Sequence, residues 1–173
     1  MTDRKFPIGP FIPQESYSAE DLHSFIQTIE NTPAQLRKLV ENLSNEELAK
    51  TYREDSWNIR QIVHHISDIQ YLHYFRMKKA ITEPDNDEMA LINMNAWSAT
   101  TDSLTAPVTD SLLTFEAITT RYMFLARTLT EDQLAIRYYH PVRKIWFTQK
   151  DALAISAWHV QHHLGHVRWA LGD

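Results

Sequence analysis

Four stretches of the chain carry apolar residues at the three-to-four-residue spacing of a helix that buries one face. Residues that commonly cap helices stand at or near the starts of these stretches: Ser18, Ser56 or Asn58, Asp110, and Thr148. Pro33 predicts a break or kink in the first helix, because proline lacks the amide proton that a helix interior uses. The pattern therefore predicts a mainly helical chain, with long helices over residues 18–42, 58–82, 110–129 and 148–171.

Shorter elements are predicted between these helices. Ser44 to Glu47 and Thr130 to Gln133 have the spacing of a capping box, which predicts two short helices. Residues 1–17 contain three prolines and are predicted to form an extended arm, and residues 83–108 show no strong period and are predicted to be a long connection. The stretch from Tyr138 to Phe147 is rich in aromatic and β-branched residues, which favours a small hairpin or flap before the last helix.

An internal repeat organises this pattern. Leu43–Tyr52 aligns with Leu129–Tyr138 at an offset of 86 residues, and each segment leaves a long helix and leads into a helix that bears histidines. We therefore expect two helix pairs related by pseudo-symmetry. The hairpin is then an insertion in the second pair.

Composition narrows the functional classes. The 173 residues, predicted to form one domain, carry a net charge of −5, which disfavours a nucleic-acid or anionic-membrane partner because both would repel the chain. The absence of cysteine excludes disulfides, thiolate zinc sites and a cysteine nucleophile. Neither a signal peptide nor an apolar run long enough to span a membrane is visible, so a cytoplasmic location is expected.

Histidines are the candidate chemistry. Four of the nine lie between His159 and His166. His159 and His163 are one helical turn apart, so both imidazoles can reach one ion, and the neighbouring small and apolar residues indicate a face turned to the core. His65 lies on a largely apolar stripe of the second long helix and could supply a third ligand from a facing helix. The overlapping pair of His162 and His166 has the same spacing, and a packed histidine cluster without a metal is the alternative.

Four other polar residues lie on or near these helices. Asp68 could orient a ligand, although a solvated carboxylate or a local ion pair is the simpler interpretation. His140, in the predicted flap, could approach the mouth of the site. His64 is expected at the surface or an interface, and Arg76 is expected to be a buried ion-pair partner.

The motifs resemble those of the DinB-like superfamily, and in particular its YfiT-type members, which are associated with metal-dependent hydrolysis and related to bacillithiol transferases. The resemblance covers nearly the whole chain. The most specific segments are Trp57–His65 and the His-x-x-x-His pair followed by Gly165. Further matches are Phe6–Gly9, Pro13–Glu15, Ala96–Trp97, Tyr139–Pro141 and Trp158–His163.

The resemblance implies an all-α four-helix bundle that forms a homodimer. It places the metal ligands at His65, His159 and His163, with His162 and His166 as neighbours of the site. It implies one divalent ion per chain, with zinc or nickel expected, and a small-molecule substrate.

Three histidine ligands would leave coordination positions open, as in catalytic sites. Open positions allow either hydrolysis by a bound water or transfer of a low-molecular-weight thiol. The family resemblance implies a hydrolase, with thiol transfer as the alternative and non-catalytic binding of a metal or small molecule as the second alternative. The catalytic residues and the general base are unassigned.

Overall fold

The computed structural model describes residues 4–84 and 89–173. Four long helices dominate it: α1 (Ala19–Val40), α3 (Ile59–Thr82), α6 (Val108–Arg127) and α8 (Gln149–Leu171). Between them lie the short helices α2 (Asn45–Leu48), α4 (Met94–Ser98), α5 (Thr101–Thr105) and α7 (Glu131–Ala135) and a hairpin of strands β1 (Arg137–His140) and β2 (Ile145–Thr148). The predicted all-α architecture with short extra helices and a hairpin before the last helix is confirmed.

Reciprocal capping boxes start five of these helices. In each, the side chain of the capping residue accepts a hydrogen bond from the third helical amide, while the side chain at that third position accepts one from the amide of the capping residue. A cap of this kind stabilises a helix by about 1 kcal/mol. The pairs are Ser18–Asp21, Ser44–Glu47, Asn58–Gln61, Thr130–Gln133 and Thr148–Asp151.

The four long helices form a bundle in which α1 lies diagonally opposite α3, and α6 lies diagonally opposite α8. Helix α1 packs against α6 and α8, and α3 packs against the same two. The largest fully buried side chains lie at the centre of this bundle and include Ile29, Leu36, Ile62, Phe115, Tyr122 and Leu164. Because α3 and α8 are direct neighbours, histidines on their shared boundary can converge.

The connections into α3 and α8 are built alike. Short helices α2 and α7 precede them, as the repeat predicted, and then Thr51 pairs with Asn58 while Arg137 pairs with Thr148, both antiparallel. In each case the second residue of the pair is the N-cap of the helix that follows. The first connection stops at one bridge, whereas the second extends to the full hairpin.

Three predictions about the helices require correction. Pro33 does not interrupt α1, which continues to Val40. The predicted connection over residues 83–108 contains α4 and α5, while its residues 85–88 lie outside the described part of the chain. Helix α6 begins at Val108 after Pro107, without a side-chain cap, so Asp110 lies in its first turn.

The N-terminal arm crosses the outside of α8, and its described residues 4–17 are in neither helix nor strand. The indole Nε1 of Trp158 donates to the carbonyl oxygen of Gly9 at 3.0 Å. Pro7 lies so close to Gly165 that a Cβ there would be 2.9 Å from the proline ring. Within the described residues, no helix is both long and apolar enough to cross a bilayer.

Candidate metal centre

Three histidines from α3 and α8 meet at the boundary between the two helices. His65, His159 and His163 each offer a ring nitrogen, and these three atoms lie within 4.8 Å of one another. The Nε2 atoms of His65 and His159 are 3.2 Å apart. The structure thus brings together the three histidines that were predicted to be ligands, and their role as ligands stays a prediction.

The spacing suits two ligands of one ion. In a tetrahedral zinc site with bonds of about 2.05 Å, ligand nitrogens are separated by about 3.3 Å. Two imidazole nitrogens facing each other at 3.2 Å have this separation, and the four-residue spacing on α8 adds the third. An all-imidazole set suits zinc, nickel, copper or ferrous iron.

Burial keeps these imidazoles neutral near pH 7. It lowers the pKa of His65 to about 3, with repulsion from His162 and His166 adding to the effect. Burial also holds the pKa values of His159 and His163 well below the ordinary value, and repulsion among the clustered imidazoles acts in the same direction. A neutral imidazole is the form that binds a metal, so the cluster needs no deprotonation at neutral pH.

His166 fixes the orientation of His163. Its Nε2 lies 3.3 Å from the carbonyl oxygen of Lys5, and its Nδ1 lies 3.3 Å from Nδ1 of His163. A carbonyl oxygen only accepts, so Nε2 of His166 is the donor, and its Nδ1 then accepts the proton of His163 Nδ1. This leaves His163 with a lone pair on Nε2 that is free to bind a metal. Hydrogen-bond partners of metal-binding histidines commonly fix the tautomer in this way. Stacking of His166 on Tyr52 at 3.8 Å holds the ring in place.

A second group of three, His162, His163 and His166, also has ring nitrogens within 4.8 Å of one another. Binding there would disrupt the chain of hydrogen bonds from Lys5 through His166 to His163, because both nitrogens of His166 are engaged in it. His162 instead stacks on Trp158 at 4.4 Å. The group containing His65 is therefore the better candidate.

The cluster opens into two cavities. The larger, which we call the cluster cavity, has a volume of about 550 Å³ and is lined by His65, His159 and His163 together with part of the arm. The smaller, which we call the side cavity, has a volume of about 280 Å³ and lies between α3, α8 and the hairpin. Both are lined by Met94, Arg143, Trp158 and His159, so they are two arms of one cleft that meet beside the histidines.

The cleft is cationic although the protein is acidic. Among described residues, the side cavity is lined by Arg76 and Arg143 and by no carboxylate. The cluster cavity is lined by Lys5, Arg53 and Arg143, and its only carboxylate among these residues is Asp55. Such a cleft favours an anionic substrate.

The other predicted polar residues occupy varied positions. His140 lines the side cavity, where burial lowers its pKa to about 4. Asp68 lines neither cavity; burial, and then the charge of Asp102, raises its pKa to about 6.

One expectation was wrong. His64 is buried, with Nδ1 2.7 Å from Ser111 Oγ, because the end of the 83–108 connection and the start of α6 cover it. Arg76 donates from Nε and Nη2 to the carbonyl oxygen of Ala90, and among residues 4–84 and 89–173 no carboxylate lies within ion-pair distance of it, so its role as an ion-pair partner stays a prediction.

Sequence reasoning overlooked His73. Its ring lies 5.7 Å from that of His159, it lines the side cavity, and its buried Nδ1 has no hydrogen-bond partner in the described chain. The repeat could have revealed it, because its offset of 86 residues aligns His73 with His159.

Comparison with known proteins agrees with this architecture. Residues 28–167 match the family described as the DinB superfamily. The chain is 36% identical over 162 residues to "Putative metal-dependent hydrolase YfiT" of Bacillus subtilis, covering 94% of this chain and 90% of that protein. A relative in Oceanobacillus iheyensis, also named a "Putative metal-dependent hydrolase", is 38% identical over 172 residues. The alignment covers 99% of this chain and 97% of that protein. The solved structure of the Bacillus subtilis protein, described as a probable metal-dependent hydrolase with an unusual four-helix bundle topology, superposes with a TM-score of 0.92 at 35% identity, over 96% of this chain and 95% of that one.

Proposed function

The chain belongs to the DinB superfamily, and on that premise we propose that it is a metal-dependent hydrolase with one divalent ion, zinc or nickel, held by His65, His159 and His163. The observation that carries the proposal is the convergence of three neutral imidazoles from two helices within 4.8 Å. The names of the relatives support the reaction class. Three protein ligands leave room for water and substrate.

The bound ion would act as a Lewis acid that lowers the pKa of a coordinated water. The protein supplies the setting for that chemistry. His166 and the Lys5 carbonyl orient His163, and Trp57, whose ring lies 4.6 Å from that of His65, shields one side of the cluster. The cationic lining of the cleft attracts a substrate with negative charge.

Metal analysis of matched variants tests the ligand assignment. His65→Ala removes a member of the proposed set only, His162→Ala removes a member of the alternative set only, and His23→Ala changes an exposed histidine on α1. We expect the first variant to lose the ion and the other two to keep about one ion per chain. Retention in His65→Ala with loss in His162→Ala would move the site to the alternative set.

Turnover tests the reaction class. Metal-loaded and metal-stripped protein would be compared on a panel of esters and amides, some with a carboxylate. Metal-dependent hydrolysis that disappears in His65→Ala is expected. A protein that binds its ion fully and hydrolyses none of the panel would contradict the hydrolase assignment.

Thiol transfer is the second candidate, favoured by one observation. The only described carboxylate that lines the cleft is Asp55, so an acidic general base close to the histidine cluster is lacking among those residues. A metal-activated thiolate from a cosubstrate needs less help from such a base. Metal-dependent consumption of a low-molecular-weight thiol in the presence of an electrophile, without hydrolysis, would establish this route.

A further inference from the structure

The side cavity corresponds by pseudo-symmetry to the histidine cluster. Helices α3 and α8 begin at the equivalent caps Asn58 and Thr148, so position 58 matches position 148, an offset of 90 residues. By this offset Ile155 matches His65, Ile69 matches His159, and His73 matches His163. These three counterparts, Ile155, Ile69 and His73, all line the side cavity.

This correspondence explains the character of the side cavity. The cluster has three imidazoles, whereas its counterpart keeps one imidazole and has two isoleucines where the others would be. Isoleucine side chains cannot bind a metal. In this half of the repeat they instead form an apolar wall of a cavity of about 280 Å³. Leu72 and Leu91 extend that wall.

A cationic group lies at this apolar cavity. Arg76 is largely buried, and burial lowers the pKa of its guanidinium from the ordinary value. Its Nε and Nη2 both donate to the carbonyl oxygen of Ala90, at 3.0 and 2.7 Å, and this contact fixes the plane of the group. Two of its five N–H donors are used in this way, and the rest have no carboxylate partner among described residues.

Among residues 4–84 and 89–173 no anion meets this guanidinium, and binding of an anion stabilises a buried guanidinium. The remaining donors of a guanidinium held by one edge still include a pair that can meet both oxygens of a carboxylate. Arg143, from the hairpin turn, adds positive charge at the same cavity. Because the side cavity and the cluster share His159, a carboxylate there would lie beside the reacting centre.

We propose that the side cavity binds the carboxylate end of the substrate through Arg76, with an aliphatic segment against Ile69 and Ile155 and the reactive group at the histidine cluster. The substrate class is thus a short aliphatic carboxylic acid derivative. This inference rests on the proposed function for the role of the cluster. The binding of the carboxylate can be measured without turnover.

The test is the affinity of hexanoate, measured by calorimetry, with neutral hexanamide as the comparison probe. We expect hexanoate to bind wild-type protein at least tenfold more tightly than hexanamide, and R76Q to lose about tenfold or more of the hexanoate affinity, as expected for a charge-assisted pair. R76K keeps the positive charge but loses the paired N–H donors of the guanidinium, so its affinity for hexanoate should lie between those of wild type and R76Q. R143Q, which alters an exposed cation of the same lining, should lose less than about threefold.

Zinc-loaded and metal-stripped wild-type protein separate the two places where a carboxylate could bind. Hexanoate affinity that changes little on removal of the metal supports the side cavity. Affinity that depends on the metal but not on Arg76 would place the carboxylate on the ion and overturn the proposal, as would a larger loss in R143Q than in R76Q. Thermal melts and the metal content of each variant verify folding, and R76K supplies the comparison if R76Q is unstable. Failure of the hydrolase assignment would instead appear as absent turnover with hexanoate binding intact.

Discussion

Acidification should destabilise the metal-free protein because its buried histidines must take up protons on unfolding. Burial lowers the folded-state pKa of His65 and of His73 to about 3, whereas an unfolded histidine titrates near 6.5. Below pH 6.5 the unfolded chain therefore binds more protons than the native one. The stabilisation that these neutral histidines provide is complete above pH 6.5 and is lost as the pH falls toward 3.

The size of the effect follows from the two pKa values. Between pH 7 and pH 5, a histidine whose pKa moves from 6.5 to about 3 on folding costs about 2 kcal/mol of stability. For a domain of this length, that lowers the melting temperature by roughly 4–8 °C. His73 should add a similar amount, which makes the total a large part of a typical stability of about 5–15 kcal/mol.

Calorimetric melts of metal-stripped protein at pH 7, 6 and 5 would measure this dependence. His65→Gln should remove about 2 kcal/mol of the difference between pH 7 and pH 5, whereas His23→Gln, which alters an exposed histidine on α1, should leave it unchanged. Equal stability of the metal-free wild type at pH 7 and pH 5 would refute the reasoning. A pH dependence that His65→Gln leaves intact would refute the assignment to the cluster.

Three further predictions test the packing and the assembly. Gly165→Ala should displace the arm, since the added Cβ would lie 2.9 Å from the ring of Pro7; trypsin should then cleave the arm faster than in wild type, and an unchanged rate would contradict the contact. Thr119→Val should cost about 1–3 kcal/mol by removing the 3.1 Å partner of the buried Gln70 amide, while Thr120→Val on the exposed side should cost much less in the same denaturant titration. The expected homodimer should sediment at twice the monomer mass of 20.3 kDa, and a monomer at micromolar concentration would exclude it.

The long helices were predictable because their signals are local. A capping residue and its partner three positions later are both visible in the sequence, and the structure places reciprocal hydrogen bonds at Ser18, Asn58 and Thr148. The histidine cluster could be proposed for a related reason. The four-residue spacing on α8 is local, and the repeat and the family resemblance pointed to His65.

Features that depend on distant segments could not be predicted in this way. His64 was expected at the surface or an interface because its helical angle differs from that of His65, but Ala106 and Ser111 cover it, and no pattern near residue 64 indicates this contact. The contact that Arg76 makes in the described part of the chain is the backbone carbonyl of Ala90, whose position depends on the path of the 83–108 connection. Pro107 starts α6 without a side-chain cap, so the exact beginning left no signal in the sequence.

The crossing of the arm over α8 imposes an order on biosynthesis. Gly9 and its partner Trp158 are separated by 149 residues, and Lys5 and His166 by 161, so the arm cannot dock until α8, which is synthesised much later, has left the ribosome. Until α8 has been made, Phe6 and Phe11 lack the rings of His162 and Trp158 against which they pack. A nascent chain that lacks α8 therefore exposes these aromatic side chains, and it is a candidate client for chaperones and proteases until α8 has formed.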